Sequence, residues 1–99
     1  MQSIGLKENV HMEIIEWAQN CGIQKVILFG SRARMDYREK SDIDLAVTGG
    51  DVIRFSAEID DRISTLLMFD IVNLDGSVQS ELLDSIEKEG VTIYEEDGE

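Results

Sequence analysis

Apolar positions follow two rhythms along this chain. Residues 6–20 (LKENVHMEIIEWAQN) set Leu6, Val10, Ile14, Trp17 and Ala18 three or four apart. That spacing predicts one stripe of an amphipathic helix, stopped by Cys21 and Gly22. Residues 25–29 (KVILF) are a short apolar run closed by Gly30, which predicts a strand buried on both faces. Residues 31–38 are polar and predict a small helix or helical turn. From Asp42 to Val47 the period becomes two: Asp42, Asp44 and Ala46 face one way, Ile43, Leu45 and Val47 the other.

Beyond Gly49 and Gly50, Asp51 is placed to cap a helix bearing Val52, Phe55, Ile59, Ile63 and Leu66 or Leu67. FDIVNL at 69–74 predicts a third strand, with Asp75-Gly76 as a turn. Ser77 is expected to cap a last helix with Val78, Leu82 and Ile86 inward, ended by Gly90, before VTIY at 91–94 forms a final strand. The order α-β-α-β-α-β-α-β, uninterrupted by proline, implies an α/β sheet with helices packed on it. Residues 1–94 read as a single domain and 95–99 (EEDGE) as a frayed acidic tail.

Composition removes several classes of function. Ninety-nine residues bury one modest core and leave no room for a second. Nine Lys+Arg against 21 Asp+Glu give a net charge of −12, which repels nucleic-acid backbone and anionic lipid. One cysteine and one histidine exclude an intrachain disulfide, a cysteine-based zinc site and a multi-histidine zinc site. No apolar run approaches the ~18 residues of a membrane span, and MQSIGLKENV has no signal pattern. The expectation is a reduced, soluble, cytoplasmic domain whose chemistry rests on carboxylates, hydroxyls, arginines and backbone groups. His11 is expected on the exposed side of the first helix, Trp17 in its core stripe, and Cys21 as a small buried side chain.

Two features stand side by side. Gly30-Ser31 lies where a buried strand meets a helical turn. Glycine admits a bulky anion to the backbone, a helix start offers free N–H groups, and the serine hydroxyl adds a donor. Asp42-x-Asp44 follows, its Cα atoms roughly 6–7 Å apart on one strand face. Such a pair is either the solvated face of an edge strand or a set of Mg²⁺ ligands. Asp70, inside the next apolar strand, completes a three-carboxylate cluster if the two strands are neighbours. A cluster of that kind can hold two metal ions. Five of the nine bases (Lys25, Arg32, Arg34, Arg38, Lys40) fall between 25 and 40, net +3 after Asp36 and Glu39, which suits a triphosphate.

LFGSRARMDYREKSDIDLAV, with ten residues between Gly30-Ser31 and Asp42-Ile43-Asp44, resembles the signature of the minimal nucleotidyltransferases. These MNT domains are small members of the DNA polymerase β-like nucleotidyltransferase superfamily. The resemblance takes in the preceding helix and VILFG strand, the acid in FDIVNL and the closing EGVTIY, roughly residues 5–94. It implies a nucleotidyltransferase fold, a small mixed β-sheet with helices packed on it. It also implies that Gly30 and Ser31 hold nucleotide phosphates, and that Arg32 and Arg34 contact phosphate or pair with the acidic site. Asp42, Asp44 and Asp70 would be the metal-binding and catalytic carboxylates, Asp70 helping to deprotonate the attacking hydroxyl. Met35 stands where many members have glycine, which puts the local turn geometry in question.

The implied activity is Mg²⁺-dependent transfer of a nucleoside monophosphate, AMP from ATP, to a hydroxyl. In the family's best-understood setting the MNT protein is an antitoxin that adds AMP to a tyrosine of a HEPN-domain ribonuclease toxin. A contact-only antitoxin with a silent site is the alternative. Tyr37 is either a base-stacking or a surface aromatic. The expected partners are a nucleoside triphosphate and a HEPN-type protein, with homo- or hetero-oligomers open and no direct nucleic acid or membrane contact.

Overall fold

A computed structural model of the protein describes residues 5–63, 65 and 67–96. Four helices and four strands alternate: α1 (Glu8–Asn20), β1 (Lys25–Phe29), α2 (Ser31–Arg34), β2 (Ile43–Thr48), α3 (Val52–Arg62), β3 (Phe69–Asn73), α4 (Ser80–Glu89) and β4 (Val91–Glu95). The strands form one mixed sheet in the order β3-β2-β1-β4. β1 pairs antiparallel with β2 and with β4, whereas β2 and β3 run parallel through the α3 crossover. Strand β1 is therefore interior, which is why KVILF is so apolar.

The period-two pattern of β2 sorts its side chains into two layers. Ile43, Leu45 and Val47 join Val26 and Leu28 under α1 and α3, where Val10, Ile14, Ala18, Val52, Phe55 and Ile59 complete the larger core. Ala46 and Phe29 lie on the other face with Ile86 of α4, backed by Ile27, Val72 and Leu82. Burial of this apolar area, at about 25 cal/mol per Å², is the main force holding helices to sheet. Among the described residues no helix is long and apolar enough to cross a membrane.

Several sequence expectations shift in detail. Asp51 does cap α3, its carboxylate accepting the Arg54 N–H at 3.0 Å. Helix α3 ends at Arg62, and Ile63 turns extended (φ −78°, ψ 133°) while keeping its side chain buried. Leu66 lies outside the described residues. Ser77 does not cap the last helix, which starts at Ser80 after an extended Gln79, so Val78 precedes it. His11 is half-buried, not solvent-exposed: Nε2 lies 3.2 Å from the Ile93 carbonyl, because β4 packs beside α1. Glu95 and Glu96, expected in the frayed tail, are tied to the sheet. Glu95 extends β4 opposite Lys25, and the Glu96 N–H donates to the Gln24 carbonyl at 2.8 Å. The tail positions 97–99 lie outside the described residues.

Candidate active site

The end of the sheet where β1 finishes and β2 and β3 begin gathers the residues singled out by the motif. Asp44 is register partner to Phe29 on β1 and to Asp70 on parallel β3. Parallel pairing in register puts both side chains on one face, one strand spacing of about 4.8 Å apart along the hydrogen-bond direction. By alternation that face is the one bearing Ala46 and Val72, one step beyond the patch covered by α4. Asp42 sits just before β2 and is exposed. Asp70 avoids the penalty of an acid inside an apolar strand because β3 is an edge strand and its carboxylate is solvent-exposed.

The three acids share an electrostatic field. The Asp44 carboxyl is pushed above the usual carboxylate range, first by burial, then by repulsion from Asp70 and from Asp42, with Arg34 acting in the opposite direction. Among the described residues no three acidic, histidine or cysteine side chains are gathered around a single ion. Mg²⁺ ordinarily takes one or two carboxylates and completes its shell with water and phosphate oxygens, so the in-register pair Asp44 and Asp70, and not a three-carboxylate cluster, is what the strands offer such an ion. Hard oxygen donors under mutual repulsion fit a divalent cation in chemistry and in charge.

Gly30 occupies the N-cap position of α2 with φ 75° and ψ −155°, a region open essentially to glycine alone. A β-carbon there would overlap the Asp44 carboxylate oxygen Oδ2 and lie 3.2 Å from Cγ. Gly30 and the Asp44 carboxylate are thus in direct contact, and the Ala33 and Arg34 N–H groups both donate to the Gly30 carbonyl at 3.1 Å. Met35 takes the left-handed conformation that ends α2 (φ 67°, ψ 23°), and the Asp36 N–H donates to the Ser31 carbonyl at 3.1 Å. A methionine therefore holds the geometry for which glycine is the ordinary choice.

The two arginines of SRAR part company, since residues two apart on a helix point about 200° from each other. Arg34 is exposed and pairs with Asp36 at 3.1 Å and with Glu89 at 2.9 Å, the bonds that raise its basicity. It is near enough to Asp44 to lower that carboxyl. Arg32 turns the other way. It is 5% exposed and donates to the carbonyls of Gly5 (2.8 Å), Ser41 (3.1 and 3.0 Å) and Glu39 (3.3 Å). Its guanidinium also stacks on the Tyr37 ring, 4.6 Å from the centroid. The structure thus places Arg32 as a clamp on the 39–41 loop that leads into Asp42. Lys25 is also removed from the acids, at the start of β1 beside Glu95. The local excess of bases in the sequence does not become one basic patch in space. Glu89 and the carbonyls held by Arg32 had no signal in the sequence; contacts 55 and 27 residues away leave no local pattern.

A four-stranded mixed sheet with a Gly-Ser turn against paired strand carboxylates defines a nucleotidyltransferase-like fold. The chain belongs to the polymerase beta nucleotidyltransferase family, whose model matches residues 12–99. It is 44% identical over 61 residues to a protein of Methanocaldococcus jannaschii assigned as a protein adenylyltransferase. That stretch spans 62% of this chain and 58% of the relative's length. Two solved structures share the fold. A chain of a toxin–antitoxin complex with AMP-PNP superposes with a TM-score of 0.71 at 21% identity, covering 88% of this chain and 74% of that one. A chain from the complex of tri-AMPylated Shewanella oneidensis HEPN toxin with MNT antitoxin gives 0.64 at 20% identity, covering 88% and 71%.

Proposed function

We propose that this protein transfers AMP from ATP to a tyrosine hydroxyl of a HEPN-type ribonuclease partner and so acts as its antitoxin. The observation that carries the reading is the in-register pair Asp44 and Asp70, of which Asp44 lies against Gly30 of the Gly30-Ser31 turn. A phosphate-binding turn and a carboxylate pair in direct contact are what a nucleotidyl transfer needs at one point.

In this reading Gly30 and Ser31 receive the triphosphate through backbone N–H groups and the Ser31 hydroxyl. Asp42, Asp44 and Asp70 would each offer a carboxylate to Mg²⁺, one or two to an ion, and the metal would neutralise phosphate charge and polarise the α-phosphate. Asp70, solvent-exposed on the edge strand, takes the proton of the attacking hydroxyl. A bond forms from that oxygen to the α-phosphorus, the bond to the bridging oxygen breaks, and pyrophosphate leaves. Arg34 flanks the acids with positive charge, and Arg32 keeps the 39–41 loop in the shape that delivers Asp42. The net charge of −12 supports a protein acceptor over RNA, because a basic nuclease surface is attracted and a phosphate backbone repelled. A relative assigned as a protein adenylyltransferase adds support for a protein acceptor.

The test is an intact-mass measurement of a HEPN partner after incubation with this protein, ATP and Mg²⁺. A gain of adenylyl groups at tyrosine, with loss of RNA cleavage, is expected. Inhibition without any mass gain would replace transfer by neutralisation through contact.

A further inference from the structure

On the face of β2 opposite Asp44, a cavity of 880 Å³ opens between the start of α1, the 37–40 loop and, ahead of β3, Thr65 and Leu67. Leu6, Val10, Ile43 and Leu67 give it apolar walls, and Ile43 belongs to the core beneath α1 and α3. None of Gly30, Ser31, Asp42, Asp44 and Asp70 lines it. Three cations do, Lys7, Arg32 and Lys40, against the single acid Glu39. In a chain of net charge −12 this is a local reversal of sign.

Arg32 is the decisive group. It is buried, and all four of its hydrogen bonds end on neutral backbone carbonyls. A guanidinium carries five N–H donors, so one on Nη1 is left over. Among the described residues no carboxylate pairs with Arg32, Lys7 or Lys40. A buried charge without a counter-ion is unfavourable, and an anion brought into the cavity would supply one. Arg32 also holds both walls in place, Gly5 on one side and Glu39 and Ser41 on the other, so the cavity is preformed. Its volume is that of a small-molecule site.

We propose that this cavity binds a small organic anion with an apolar body, a carboxylate, sulfonate or phosphate monoester on a ring or branched chain, at a site separate from the nucleotide. The probe is naphthalenesulfonate, titrated into the full chain and followed by amide NMR, with neutral naphthalenemethanol as control. Saturable shifts are expected at Lys7, Val10, Lys40, Ile43 and Leu67. The neutral analogue and the Lys7→Gln/Lys40→Gln double variant should each bind about tenfold more weakly or worse. Both lysines lie outside the packed cores, so the variant keeps its fold, verified by an unchanged melting temperature. Saturating magnesium–ATP should leave the probe's affinity within about twofold. Absence of saturable binding at millimolar probe, equal binding of the neutral compound, or shifts centred on Ser31, Asp44 and Asp70 would each overturn the proposal. Magnesium–ATP is titrated separately: its failure to bind counts against the transferase reading and leaves the anion site standing.

Discussion

Gly30 and Asp44 are in contact: the glycine's left-handed backbone brings its α-carbon so close to the carboxylate that no side chain fits between them. The Gly30-Ser31 turn and the Asp44 carboxylate are therefore packed as one unit. Disturbing either should disturb both.

Gly30→Ala tests this coupling directly. Alanine meets both a backbone region it rarely adopts and the Asp44 carboxylate. A destabilisation of roughly 1–3 kcal/mol is expected, a fall in melting temperature of about 4–8 °C for each kcal/mol. Under the proposed function magnesium–ATP should stabilise the wild type by mass action, and that stabilisation should disappear in the variant. Thermal melts with and without nucleotide measure both effects. An unaltered nucleotide shift would count against phosphate binding at this turn.

Asp44→Asn separates stability from activity. The folded-state carboxyl is raised above its unfolded value, so its ionised form opposes folding once pH exceeds the folded pKa. The metal-free variant should melt higher than wild type at neutral pH. That advantage should shrink as pH falls through the folded pKa and the wild-type carboxyl takes up its proton. Transfer should meanwhile drop by about 10²-fold or more. Melts across a pH series, paired with an AMP-transfer assay, read out the two effects separately.

Met35→Gly should relieve the left-handed strain at the end of α2. A gain of about 1 kcal/mol is expected from the conformational term, with transfer unchanged because the Met35 side chain is exposed. Urea denaturation resolves a gain of that size. A loss of stability would mean that the methionine side chain itself contributes.

Arg32→Met removes the clamp on Gly5, Glu39 and Ser41. Losing charge-assisted hydrogen bonds to buried and part-buried carbonyls should destabilise by about 3 kcal/mol. Amide exchange should rise most between residues 36 and 42. If exchange there stayed at wild-type rates and only nucleotide affinity fell, Arg32 would be acting on phosphate and not as a clamp.

Asp75 holds the far end of the sheet, accepting from the Thr48 hydroxyl and, at 2.8 Å, from the Gly49 N–H. These bonds pull its carboxyl below the usual range, Thr48 contributing most. The resulting stabilisation is present above the unfolded pKa and lost as pH falls through the folded one. Asp75→Ala should lower the melting temperature at neutral pH, with the difference from wild type closing in acid. A gap that stayed constant with pH would remove the carboxylate from the explanation.

Much of this protein is legible in its sequence. The period of 3.6 in residues 6–20 and the period of two in 42–47 identify α1 and β2, because each depends on neighbours at most four positions away. Gly30-Ser31 and Asp42-x-Asp44 stand out as motifs for the same reason: their members lie close along the chain. Strand pairing is a different matter. That β2 lies between β1 and β3, with Asp70 in register beside Asp44, was only a condition on the sequence reading until the sheet order met it. The partition of Arg32 inward and Arg34 outward, the seat of His11 against β4 and the docking of Glu95 beside Lys25 were likewise decided by tertiary packing. Each joins groups that are far apart in the chain, and such contacts are selected by the burial and hydrogen bonding of the whole domain. A local pattern does not encode which distant carbonyl a buried guanidinium will meet.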